Sequence, residues 1–382
     1  MKKKMGAIFL TLIILVMFSS DALADQHQES EEMIDLVELE DQWLQLESEF
    51  GDYMPQLDLR DMITGQGSGA FSVGDFLKNI LAFLFKEVVT NLRLMSQLIL
   101  LAVLGAILEN LKSAFGSETT TKLAQSVVFL VLFGIALNSF TMAMQWSRDV
   151  VNSMVDTIQA MIPILLTLLA SMGSVASVAV FKPLVIFIVN VAAVVIRDIV
   201  FPLIFLYTIL SLVSTISSFN INKLADFLKE CSMQVLGFTL IIFVFITSIQ
   251  GVGAAVVDGV GLKTGKFTAK AFIPGVGGLF ADAFDSVAGA SLVLKNAVSI
   301  YGMLLIIFIA IFPLLKIIAL TIIYRLSAAI LQPLGDTPVV KSLEVMANCL
   351  MMLFIAVFGA SIMFFMAITI IFGAGNITQM IR

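Results

Sequence analysis

Five charged residues, Lys182, Asp258, Asp282, Asp285 and Lys295, sit in or beside long apolar stretches, and no others in this sequence are better placed to do chemistry. An ionisable group at membrane depth costs about 2.5–3.5 kcal/mol on insertion scales, so such groups pair or line a polar path. Pairing of Lys182 or Lys295 with Asp282 or Asp285 would give a polar passage or structural ion pairs. The plainer reading is that the lysines snorkel to a membrane surface from helix ends. Enzyme chemistry finds no footing. His27 is the only histidine, so neither a metal cluster nor a triad has its second imidazole. The run GLKTGK at 261–266 lacks the G-x4-G-K-[ST] spacing of a phosphate loop. Asp282 and Asp285 lie only three residues apart, whereas intramembrane aspartyl catalysis needs two facing aspartates. No catalytic residue, metal, cofactor or nucleic-acid partner is expected, and any ATP-driven step would fall to a separate subunit.

The elements that must position these charges are helices in a lipid bilayer. Of the 382 residues, 59% are hydrophobic and 13% charged, with a mean hydropathy of +1.03. Soluble domains carry about 25% charged residues. Backbone groups in lipid must be paired internally, which leaves helices or a closed barrel. The apolar runs are far longer than the roughly 10 alternating residues of a barrel strand. The fold class is therefore all-α, a polytopic helical membrane protein. Cys231 and Cys349 both start apolar stretches and read as small buried hydrophobes rather than as a disulfide.

The N-terminus has a different character. Lys2, Lys3 and Lys4 precede an apolar core from Ile8 to Phe18 and the small-x-small run Ala22-Leu23-Ala24, so residues 1–24 read as a cleavable signal peptide. The mature chain then begins at Asp25, outside the cytoplasm. Residues 25–62 hold 13 acidic side chains and one Arg. Within this acidic extracytoplasmic segment, 25–72, the residues Leu36, Leu39, Trp43, Leu46 and Phe50 form one helical stripe. Its acidic reverse face is repelled by anionic lipid. The stripe suits docking on a partner protein or on this protein's own outer surface, and spacing does not choose between them.

Residues 73–93 read as an interfacial amphipathic helix, 94–156 as the first two spans. Charge-free stretches at 94–108, 123–147, 157–181, 183–196, 199–222, 231–257, 296–315 and 345–381 predict about eight helices. The body also repeats itself. Ile162-Pro163 matches Ile273-Pro274, Ser174-Val175-Ala176 matches Ser286-Val287-Ala288, and Lys182 matches Lys295. Phe201-Pro202 matches Phe312-Pro313, and Cys231 matches Cys349. Two units follow, 157–270 and 271–382, each an irregular small-residue segment and three helices, with Pro202 and Pro313 in a first helical turn. The breaks are placed at Pro163 and at Pro274, Gly275, Gly277 and Gly278, where re-entrant backbone must be buried in protein or line a cavity. The basic run Lys263, Lys266 and Lys270 should be cytoplasmic. Two spans return the chain outside near Arg148, and making 157–181 re-entrant leaves three spans between Arg148 and that basic run, which would invert the second unit and leave the C-terminus after Arg382 extracytoplasmic.

The stretch 248–302, above all DGVGLKTGK from Asp258 and FIPGVGG from Phe272, resembles the stage III sporulation protein AE family of endospore-forming bacteria. The leader, acidic N-terminus and multi-span body agree with that family over essentially the whole chain. The resemblance implies a subunit of the eight-member stage III A assembly in the mother-cell membrane around the forespore. That assembly, with stage II sporulation protein Q on the forespore side, is expected to form a channel-like complex, its ring and ATPase subunits being separate proteins. The family supplies no catalytic residues. A self-sufficient secondary transporter using the five charges, and a purely structural scaffold, are the alternatives.

Overall fold

The fold was obtained as a computed structural model that describes residues 37–55, 73–110, 118–172, 175–215, 221–272, 277–335 and 337–381. The expected signal peptide, Leu36, Pro274 and Gly275 lie outside the described residues. No strand occurs among those described. Two shorter helices come first, α1 (Val37–Phe50) and α2 (Val73–Thr90), the latter bent by 44° into α3 (Leu92–Asn110). The body consists of α4 (Glu118–Ser171), α5 (Val175–Val195), α6 (Phe201–Ser214), α7 (Asn222–Phe272), α8 (Gly277–Leu331) and α9 (Pro338–Ile381). A single π-turn, Ile196–Val200, welds α5 to α6.

Among the described residues, five helices are long and apolar enough to cross a membrane, or six if the bent pair α2–α3 counts as one span. About eight were expected from the sequence. The difference is physical. Stretches 123–147 and 157–181 are separated in sequence by Arg148, Asp149 and Asp156, but those charges lie on one continuous helix, α4. Likewise Arg197 and Asp198 sit in the π-turn and do not end the helix. Charges change what a helix faces; caps and breakers end it. The sequence reading of Pro163 as a break fails for the same reason. Pro163 lies inside α4, and the chain leaves that helix only at Met172. Ile162, Leu165 and Leu169 around it are buried in the body. Pro313 also lies inside a helix rather than in a first turn, and Pro202, second in α6, follows a π-turn that continues helically from α5, so it opens no separate helix.

The turn between α8 and α9 follows its local sequence closely. Gln332–Leu334 tighten into a 3-10 turn, and Gly335 takes a φ of +105°, where a Cβ would be strained. Thr337 then accepts a hydrogen bond from the Val340 N–H at 3.3 Å, capping α9, with Pro338 at its first position.

Packing fixes the directions of the long helices. Lys295 meets Phe372 and Met303 meets Thr369, so α8 and α9 are antiparallel. Thr215 meets Ser342, while Tyr207 and Thr208 adjoin Cys349, so α6 is antiparallel to α9 too. Leu236 lies against Gly359 and Phe243 against Phe364, so α7 and α9 are parallel. The helices matched by the expected repeat therefore point the same way, and an inverted second unit is not what is seen. Joining the apolar stretches leaves each unit with two long helices instead of three, and that even number preserves orientation. Within the bundle, Ser139, Ser147, Thr208, Thr321 and Ser361 each donate to the carbonyl four residues earlier. That bond satisfies a hydroxyl where no water is at hand.

Candidate functional site

The acidic helix α1 has a seat on its own chain. Its alternating three- and four-residue spacing lines up Leu39, Trp43 and Phe50, all buried, with Leu46 packed beside them. Trp43 lies 5.5 Å from the Tyr301 ring and edge-on to Phe308 at 5.5 Å. Phe50 stacks on Phe312 at 4.2 Å with an interplanar angle of 7°. From α2, Phe76 meets Phe308 and Phe83 meets Phe312, both edge-on. Offset and edge-on aromatic pairs add about 0.5–1.5 kcal/mol each beyond their burial, so this cluster holds α1 and α2 against α8. Of the two readings that spacing left open, the described members of the stripe, Leu39, Trp43, Leu46 and Phe50, follow the second and pack on this protein's own surface.

Polar contacts fix the register of that seat. Lys316 Nζ lies 2.9 Å from Glu49 Oε1, over the Phe50 ring at 5.0 Å and 5.7 Å from the Trp146 ring. The Thr157 hydroxyl donates to Gln42 Oε1 at 2.6 Å. Glu38, Asp41 and Glu47 remain exposed on α1, and Glu49 is exposed at the edge of the seat. Across the bundle, Arg197 pairs with its neighbour Asp198 through Nε–Oδ1 at 3.0 Å and Nη2–Oδ2 at 3.1 Å, and its Nη1 donates to Asn152 Oδ1 at 3.2 Å. Arg148, Asp149, Arg197 and Lys316 together form a charged level near the middle of the long helices. The sequence reading missed this level, although the clustering of charges midway along α4 and at the Arg197-Asp198 doublet was its visible trace.

Of the five charges singled out first, Lys295 is described in full. It is completely buried, the only charged side chain in the buried set among the described residues. Its ammonium donates to the Phe372 carbonyl at 2.6 Å and lies 5.3 Å from the centroid of the Phe372 ring. Lys295 is therefore not snorkelling; it ties α8 to α9. Lys182 lies on α5, Asp258 on α7, and Asp282, Asp285, Gly277 and Gly278 on α8, but the side chains of these charges lie outside those described. Arg325 is exposed. Among the described residues no group of three or more His, Cys, Asp or Glu could hold a metal ion. Cys231 and Cys349 are both free thiols.

Long apolar helices, hydroxyls satisfied within their own turns and a charged level between apolar stretches define a multi-pass helical membrane protein. The family model described as stage III sporulation protein AE matches residues 57–375. A stage III sporulation protein AE from Bacillus subtilis (strain 168) is 42% identical over 344 residues, covering 89% of this chain and 86% of that protein. No solved structure matches. The chain belongs to the stage III sporulation protein AE family.

Proposed function

We propose that this chain is the multi-span membrane subunit of the mother-cell-to-forespore channel complex of endospore formation, acting there as a docking platform. It sits in the mother-cell membrane around the forespore, with α1 in the intermembrane space and other stage III A proteins and a forespore channel protein as partners. The observation that carries the platform reading is the seat of α1. A conducting subunit needs a polar path through its bundle, whereas among the described residues the seat of α1 on α8 is built mainly of buried aromatic rings, with Thr157–Gln42 and Lys316–Glu49 as its polar contacts. The acidic outer face of α1 is then held rigidly where partners can meet it. Lys295, in this reading, is a structural tie between α8 and α9 and not part of a solute site. No ATPase chemistry is assigned to this chain.

A tag after Arg382 supports affinity capture from sporulating cells. Recovery of the other stage III A proteins is expected; their consistent absence would sink the assembly reading. Purified chain in liposomes should move no solute. Coupled uptake abolished by Asp282→Asn would establish the transporter alternative instead.

A further inference from the structure

A buried polar atom without a hydrogen-bond partner costs free energy, so each one in a folded chain calls for an account. Among the described residues the side-chain atoms of this kind are Asn296 Oδ1, Ser299 Oγ, the Tyr324 hydroxyl and Ser327 Oγ. All of them belong to α8, in two pairs of three-residue spacing. The first pair follows Lys295, which carries the charged tie to α9. Around the second pair the neighbours on α4 are a hydroxyl and short side chains.

Tyr324 and Ser327 are completely buried, one turn apart on α8. The antiparallel register in which Gly302 meets Met161 and Lys316 meets Trp146 brings Tyr324 opposite Ser139 of α4. The two hydroxyls adjoin there without bonding. In the same register Ser327 comes opposite Ala136. Ser139 gives its hydrogen to the Ile135 carbonyl at 3.0 Å, so its Oγ still has lone pairs to offer. The rigid phenol cannot reach its own backbone. Ser327 could, as Thr321 does by donating to the Ile317 carbonyl at 2.9 Å, yet its hydroxyl makes no such bond. Ala136, Ser139, Ser327 and Ala328 are all short and buried, so whatever satisfies the two free hydroxyls must be small. It must also be neutral, because an ion buried among hydroxyls alone would lack its opposing charge. Buried water takes about two to four polar partners, and three hydroxyls stand within one turn here.

We propose that Tyr324, Ser327 and Ser139 form an internal hydration site that joins α8 to α4 through ordered water. The Tyr324 and Ser327 hydroxyls donate to the water, and the water donates to Ser139 Oγ. A bridging water of this kind is nearly as favourable as a direct hydrogen bond. The site goes beyond the docking-platform reading and stands whether or not that reading does.

X-ray radiolysis of the full chain in lipid nanodiscs, made up in oxygen-18 water, tests it, because radicals born from ordered water label the side chains beside that water. The Tyr324 ring should take up the heavy oxygen. Phe364 of α9, completely buried and edge-on to Phe243, should take up none. Ser139→Ala and Ser327→Ala together leave Tyr324 in place but line the site with apolar groups, and such a site stays dry. The label on Tyr324 should then fall to the level of Phe364. An unlabelled Tyr324 in the unaltered chain would overturn the proposal, and this reading needs no variant to fold. A Tyr324 label that survives the double substitution, or one that reaches Phe364 as well, would overturn it too.

Discussion

The segments Ser286–Leu331 and Asn222–Ile249 are both long and apolar enough to cross a membrane, yet 67% of the most apolar window of the first is buried against 22% of the second. The first is the longer and the more apolar, and what each face offers a neighbour differs as well. Ser286–Leu331 lets helices come close, with Ala297, Gly302 and Ala310 buried, and supplies Tyr301, Phe308 and Phe312 as the floor for α1. An added Cβ on Gly302 would run into Met161 of α4, so that glycine marks a close helix crossing. Asn222–Ile249 begins with exposed Lys223, Asp226, Lys229 and Glu230, and an added Cβ on Gly237 meets nothing within 4 Å. One helix organises the bundle and the other forms its wall.

Substitutions of equal chemistry should separate the two. For the isolated chain in mixed micelles, unfolded by SDS titration, Phe308→Ala should cost about 3–5 kcal/mol, as for a buried aromatic core residue. Phe245→Ala should stay within about 0.5 kcal/mol. Equal losses would erase the contrast. Lys295→Met removes a charged donor from the Phe372 carbonyl and should cost about 1.5–3 kcal/mol; a stabilised variant would mean that the tie between α8 and α9 is worth less than its desolvation. Gly302→Leu should cost about 1–3 kcal/mol through overpacking, and Met161→Ala in the same chain should return part of it. If the two changes simply add, the crossing is not where the contact places it. The smallest effect belongs to Glu49→Gln. Its carboxylate is 60% exposed, so the loss should be under about 1 kcal/mol and should shrink further in high salt.

Much of this was legible in the residues. The stripe on α1 was visible as a period, and three of its members, Leu39, Trp43 and Phe50, are buried together. What the stripe packs against was not legible, because a period names a face and not its neighbour; Trp43 and Phe308 are 265 residues apart in sequence. Helix ends were misjudged at Pro163 and Pro313 because proline inside an apolar bundle can be carried by neighbouring helices, a tertiary effect that no local rule contains. The joining of α5 and α6 through Arg197-Asp198 was hidden for a related reason, since the pair neutralises itself and finds Asn152 across the bundle. Lys295 was singled out for an ion pair or a polar passage, but the acceptor it meets is the Phe372 backbone carbonyl, which leaves no mark in sequence.

The account depends most on α1 being seated on its own chain. Cysteines at Gln42 and Thr157, in a chain with Cys231→Ser and Cys349→Ala, can be joined by a short bifunctional thiol reagent and the chain then cut at a protease site engineered within residues 56–72. The N-terminal fragment should remain covalently attached to the body of the same chain. Its release, or its capture only by other chains, would contradict the seat.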